Sequence, residues 1–103
     1  MNKSDFITHV LDANGYQHQA IKAIEEMAEL QQALARYATG EYSVHPQELR
    51  EHVAEELADV ELCMLQVRRM FDIDDFELEQ REKTKIDRYL NRESRSLAAK
   101  KGG

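Results

Sequence analysis

The chain has 103 residues, 33% of them charged and 42% hydrophobic, with a formal net charge of −6. That length holds one small domain and leaves no room for a second core. Twenty acidic residues against fourteen basic ones exclude a general nucleic-acid or membrane-surface binder, since both partners select a positive field, but they leave open a small anion that arrives with metal ions.

The absence of tryptophan, one proline, four glycines and seven aromatics predict an all-α fold rather than a sheet. The lone cysteine, Cys63, can build neither an internal disulfide nor a zinc cluster, which fits a reducing compartment. No apolar run is long enough to span a bilayer, and the segment MNKSDFITHV lacks the apolar core of a signal peptide. The expectation is a cytoplasmic protein.

Turn signals at Asn14-Gly15, at Gly40 and at Val44-His45-Pro46 divide the chain. The first helix is predicted over 4–13 with Ser4 as its N-cap. The second is predicted over 17–39, with an apolar arc of Ala20, Ile21, Ala23, Ile24, Met27, Ala28, Leu30, Leu34 and Tyr37; Met27 and Tyr37 are expected in the core. The third, over 46–71, has Pro46 at its first position and a predicted buried stripe of Leu49, Val53, Leu57, Val60, Met64, Val67 and Phe71. Its far side carries Ala54, Ala58, Leu62 and Leu65. A helix apolar on two sides sits between neighbours, so a second copy of the chain is expected to complete the bundle, a monomeric bundle being the alternative. The fourth helix is predicted over 74–97 with Asp74 as cap, leaving 98–103 as a flexible tail after a single domain, 1–97.

Two acidic phrases, Glu25-Glu26-Met27-Ala28-Glu29 and Glu55-Glu56-Leu57-Ala58-Asp59, lie on the two long helices. Acids three apart share a helix face, so Glu26 with Glu29 and Glu56 with Asp59 can each present two carboxylates. Facing each other, the pairs offer the oxygen donors that magnesium requires. The same spacing recurs at Glu48/Glu51, Asp72/Asp75 and Glu79/Glu82, which read as solvated faces. Glu56 stands apart because it falls roughly 50° from the centre of the apolar stripe. Glu26 and Glu29 lie opposite or at the edge of the apolar arc, and geometry alone leaves them open. Two carboxylates about 5 Å apart repel by roughly 3 kcal/mol at an effective dielectric near 20, so such a cluster either faces water or holds a cation. No Glu-x-x-His exists, which excludes the common di-iron bundle. His9, His18, His45 and His52 are read as surface or packing residues.

Taken together, Glu25-Glu26-x-x-Glu29 and Glu56-x-x-Asp59, in that order on consecutive amphipathic helices, resemble the MazG-like all-α nucleoside triphosphate pyrophosphohydrolases over roughly residues 17–88. The phrase Lys85-Ile86-Asp87-Arg88 resembles the family's basic phrase on the last helix, with Thr84 where asparagine is common. The resemblance implies a four-helix bundle with two long central helices, assembled as a homodimer or homotetramer. It implies Mg2+, with Mn2+ as a substitute, held by Glu26, Glu29, Glu56 and Asp59. The implied reaction cleaves a (deoxy)nucleoside triphosphate between the α and β phosphates, with Glu25 or a ligand such as Glu29 taking the proton of the attacking water and Lys85 and Arg88 contacting phosphates. The charge distribution agrees, with residues 81–103 at +5 and residues 1–80 at −11. Phe6, His9, Tyr16 and His18 lie in the region that could cover a nucleobase. A phosphoribosyl-ATP pyrophosphatase-like relative and a non-catalytic helical dimerisation module are the alternatives.

Overall fold

The computed structural model describes residues 1–40 and 44–102. It is all-α: α1 (Lys3–Asn14), α2 (Tyr16–Ala38), α3 (Pro46–Met70) and α4 (Asp75–Gly102), with no strand among the described residues. The segment Met1–Phe71 forms one compact unit and Asp72–Gly103 a second. Among the described residues no helix is long and apolar enough to cross a membrane.

The first cap differs from expectation. Asn2, not Ser4, caps α1, its Oδ1 accepting from the Asp5 backbone N–H at 2.8 Å. Asparagine is as good a cap as serine, and starting the helix earlier frees the Ser4 hydroxyl for another partner. That partner is Arg69 near the end of α3, which donates to Ser4 O (3.1 Å), Ser4 Oγ (3.0 Å) and Thr8 Oγ1.

A single residue joins α1 to α2. Gly15 sits at φ +87°, ψ 159°, a combination that a side chain would strain, and its N–H closes α1 on Leu11 O at 2.9 Å. Pro46 opens α3, where its missing N–H costs nothing. Beyond α3, Asp72 adopts φ +53°, a left-handed conformation that aspartate tolerates better than most residues. Asp74 caps the fourth helix as expected, accepting from the Glu77 N–H at 2.8 Å. That helix runs on through Gly102, past Leu97, through Ala98, Ala99, Lys100 and Lys101. Alanine and lysine are good helix formers, and the lysines suit the negative end of the helix dipole.

In the first unit, α2 and α3 lie antiparallel, and α1 packs on both. The buried apolar residues are Ile7, Leu11, Ala23, Ala33, Leu49 and Cys63. The buried line on α3 is rotated from the predicted stripe: Leu49 is buried as expected, but Leu57 and Phe71 are exposed, while Cys63 and Gln66 are buried. On α2 the buried residues are Gln19, Ala23, Glu26 and Ala33, and the expected core residues Met27 and Tyr37 are exposed. The physical reason is close approach. Small side chains at Ala23, Ala33 and Cys63 form the seam between the two helices, so the bulkier neighbours flank it instead of filling it. Folding this way turns Glu26 inward and brings Glu56 onto the seam.

Candidate metal centre

Glu26 shares a helix face with Gln19, Ala23 and Ala33, so the contact that buries the alanines buries its carboxylate too, to 7% exposure. One oxygen is paired: Lys22, one turn earlier, places its Nζ 2.9 Å from Glu26 Oε1. The other, Oε2, is buried without a hydrogen-bond partner. Across the seam, half-buried Glu56 has its Oε2 in the same condition. Glu29, exposed and three residues beyond Glu26, completes a cluster in which one carboxylate oxygen from each residue lies within 4.8 Å of the others.

Three carboxylates with one lysine carry excess negative charge. The Glu29 carboxyl is consequently held above its ordinary value, chiefly by the charge of Glu26 and then by hydrogen bonding to, and the charge of, Glu56. Glu29 can donate to these neighbours only when it is protonated; as a carboxylate it is an acceptor alone. The Lys22 ammonium is held above its ordinary value by its hydrogen bond to Glu26 and by that residue's charge.

A raised carboxyl pKa means that the folded chain binds this proton more tightly than the unfolded chain does. The stabilisation is complete below the unfolded value of 4.5 and is lost as pH rises through the folded one. The melting temperature of the metal-free protein is therefore expected to fall as pH rises above 4.5, and the fall should flatten in Glu29→Gln. An equally steep fall in that variant would assign the effect to other acids.

The donor set suits a hard divalent cation: all three residues offer carboxylate oxygens, and two of the residues, Glu26 and Glu56, each carry a buried oxygen with no hydrogen-bond partner. The Cys63 thiol, buried nearby, is pushed up first by burial and then by the charge of Glu26, which keeps it protonated and a poor ligand.

Of the residues singled out by sequence, Glu26, Glu29 and Glu56 meet. Asp59 is exposed and lies outside the three-oxygen cluster, though it lines a crevice together with Glu26. Glu25 is exposed on α2, outside the cluster. Lys85 and Arg88 share one groove of α4 with Arg81 and Thr84, within the second unit.

Lys22 escaped the sequence reading, although its spacing of four before Glu26 is a standard helical ion pair. Gln19 and Gln66 escaped it too, since their pairing spans 47 positions. No protein-family model, curated protein or solved structure matches the chain.

Proposed function

We propose that the protein is a magnesium-dependent nucleoside triphosphate pyrophosphohydrolase of the MazG-like kind, releasing a nucleoside monophosphate and pyrophosphate. The observation that carries this reading is the pair of buried, unpartnered carboxylate oxygens on Glu26 and Glu56, two residues that with Glu29 bring carboxylates close enough to hold a hard cation. A bound divalent cation supplies positive charge to phosphate oxygens and lowers the pKa of a water. Glu26, Glu29 and Glu56 hold it, and Asp59 is the fourth carboxylate of the set. Lys22 fixes one Glu26 oxygen and thereby orients the other. Glu25 or Glu29 takes the proton of the attacking water. On the strength of the resemblance, Arg88 grips phosphate oxygens as a fork and Lys85 acts as a point charge.

Assembly from more than one chain is part of the proposal. It is supported by Ile21, Ile24 and Leu34, which remain exposed on the outer face of α2.

The test is a panel of canonical and modified nucleoside triphosphates, with phosphoribosyl-ATP included, assayed with Mg2+ or Mn2+ for released pyrophosphate. Metal-dependent release from at least one member is expected. Release from none would leave a non-catalytic helical module.

A further inference from the structure

The fourth helix lies in a unit of its own, residues 72–103, and carries an apolar stripe of Phe76, Ile86, Leu90 and Leu97, each more than half exposed. The four belong to one seven-residue repeat. Phe76, Lys83, Leu90 and Leu97 follow at intervals of seven, and a second series, Glu79, Ile86, Glu93 and Lys100, runs three residues behind it. Together they trace the narrow seam along which two helices pair in a coiled coil. A helix of 28 residues with no covered face is poorly stabilised, because most helical stability comes from packing an amphipathic side. The stripe therefore calls for a partner.

Charge selects which one. Residues 72–82 hold six acids and one base (−5), while residues 83–103 hold seven bases and two acids (+5). The helix dipole rewards such segregation only in the first and last turns, whereas the acids here continue to Glu82, two turns into the helix. A second copy of α4 laid antiparallel sets each acidic half on a basic half, and a parallel copy sets like on like. The first unit of another copy, with twelve acids and six bases over residues 1–71 (−6), would attract one half of the helix and repel the other.

The seam repeats this choice residue by residue. Its charged members are Glu79, Lys83, Glu93 and Lys100, and in a parallel pair each would meet its own twin. In an antiparallel pair with Arg88 level with Arg88 of the partner subunit, Ile86 faces the partner's Leu90 and Lys83 faces the partner's Glu93. Further out, Glu79 faces the partner's Leu97, and Phe76 faces the aliphatic stem of the partner's Lys100. No seam residue then meets its own sign.

We propose that the stripe of α4 is an interface for α4 of a second copy, paired antiparallel in this register. It uses none of the α2 residues exposed on the first unit. Arg81, Lys85 and Arg88 fall on the side of the helix away from the seam, so the pairing neither rests on the triphosphate reading nor competes with it.

Spin labels in the full chain test the pairing. Asn91 and Ala98 are seven residues apart and share a helix face outside the seam, so labels on Asn91→Cys and Ala98→Cys sit on the same side of the pair. In the antiparallel register the two copies of position 91 are about 9 Å apart along the axis and those of position 98 about 30 Å. The measured distance between labels should accordingly be longer by about 15 Å for Ala98→Cys. Wild type, whose cysteine is the buried Cys63, controls for stray labelling. Equal distances in the two samples would mean a parallel pair, and no distance between copies in either would mean that no second α4 covers the stripe; both overturn the proposal. Charge exchange fixes the register. Lys83→Glu and Glu93→Lys should each raise by about tenfold the protein concentration at which half of the Asn91→Cys labels are paired, and the two together should restore it. Single substitutions without effect, or a combination that restores nothing, would overturn the register.

Discussion

Glu56→Gln is expected to lose magnesium-dependent pyrophosphate release by at least about 10²-fold, a loss that even outer-shell partners of metal sites can produce. The same variant should melt at a higher temperature than wild type when no metal is present. Removing one of three clustered charges relieves repulsion, and the new amide N–H can donate to a neighbouring carboxylate. Wild type, in turn, should gain about 5–10 °C from cation at ten times its dissociation constant, by mass action on the folded state. Glu56→Gln should lose most of that gain. The opposite signs of the two thermal effects separate a ligand from a residue that merely supports the fold. Full activity with an unchanged cation response would remove Glu56 from the site.

Leu49→Ala is the second substitution with a large expected effect. Leu49, at 1% exposure, is the largest fully buried side chain among the described residues, where Ile7 and Leu11 are the other long aliphatic side chains in the buried core. Truncating a buried leucine costs about 2–5 kcal/mol, against a total of roughly 5–15 for a small domain. A fall in melting temperature of about 10 °C or more is expected. Leu57→Ala is the informative comparison, because Leu57 is 43% exposed in the single chain. A small loss there fits a surface that stays in water, whereas a loss as large as that of Leu49→Ala would show that another chain covers it.

The helices themselves were legible because each has a local punctuation mark. Gly15 separates α1 from α2, Pro46 opens α3, and Asp74 caps α4 through a hydrogen bond that spans three residues. The facing of the helices was less legible. Periodicity locates the widest apolar arc, but the buried faces mix small side chains with polar ones, so Ala23, Ala33, Cys63, Gln19 and Glu26 are inside while Ile24 and Tyr37 are outside. That rotation explains why Glu26, which the helical wheel left open, is among the most buried acids. The acidic spacing brought out three residues that do meet, and its fourth, Asp59, lies on the crevice next to them. The bond between Gln19 and Gln66 had no local signature, since it exists only once two helices have aligned.

The attachment of α1 has a mechanical consequence. This helix carries Phe6, Val10 and Asn14, which form one wall of the crevice, and the wall is fastened in two unlike ways. At its end it is joined covalently through Gly15, whose backbone has the widest conformational freedom of any residue. At its beginning it is held by the guanidinium of Arg69, whose hydrogen bonds to Ser4 and Thr8 are exposed to water and open cheaply. One wall of the crevice is thus held covalently at one end and by exposed hydrogen bonds at the other, and the arginine that makes those bonds lies outside the crevice.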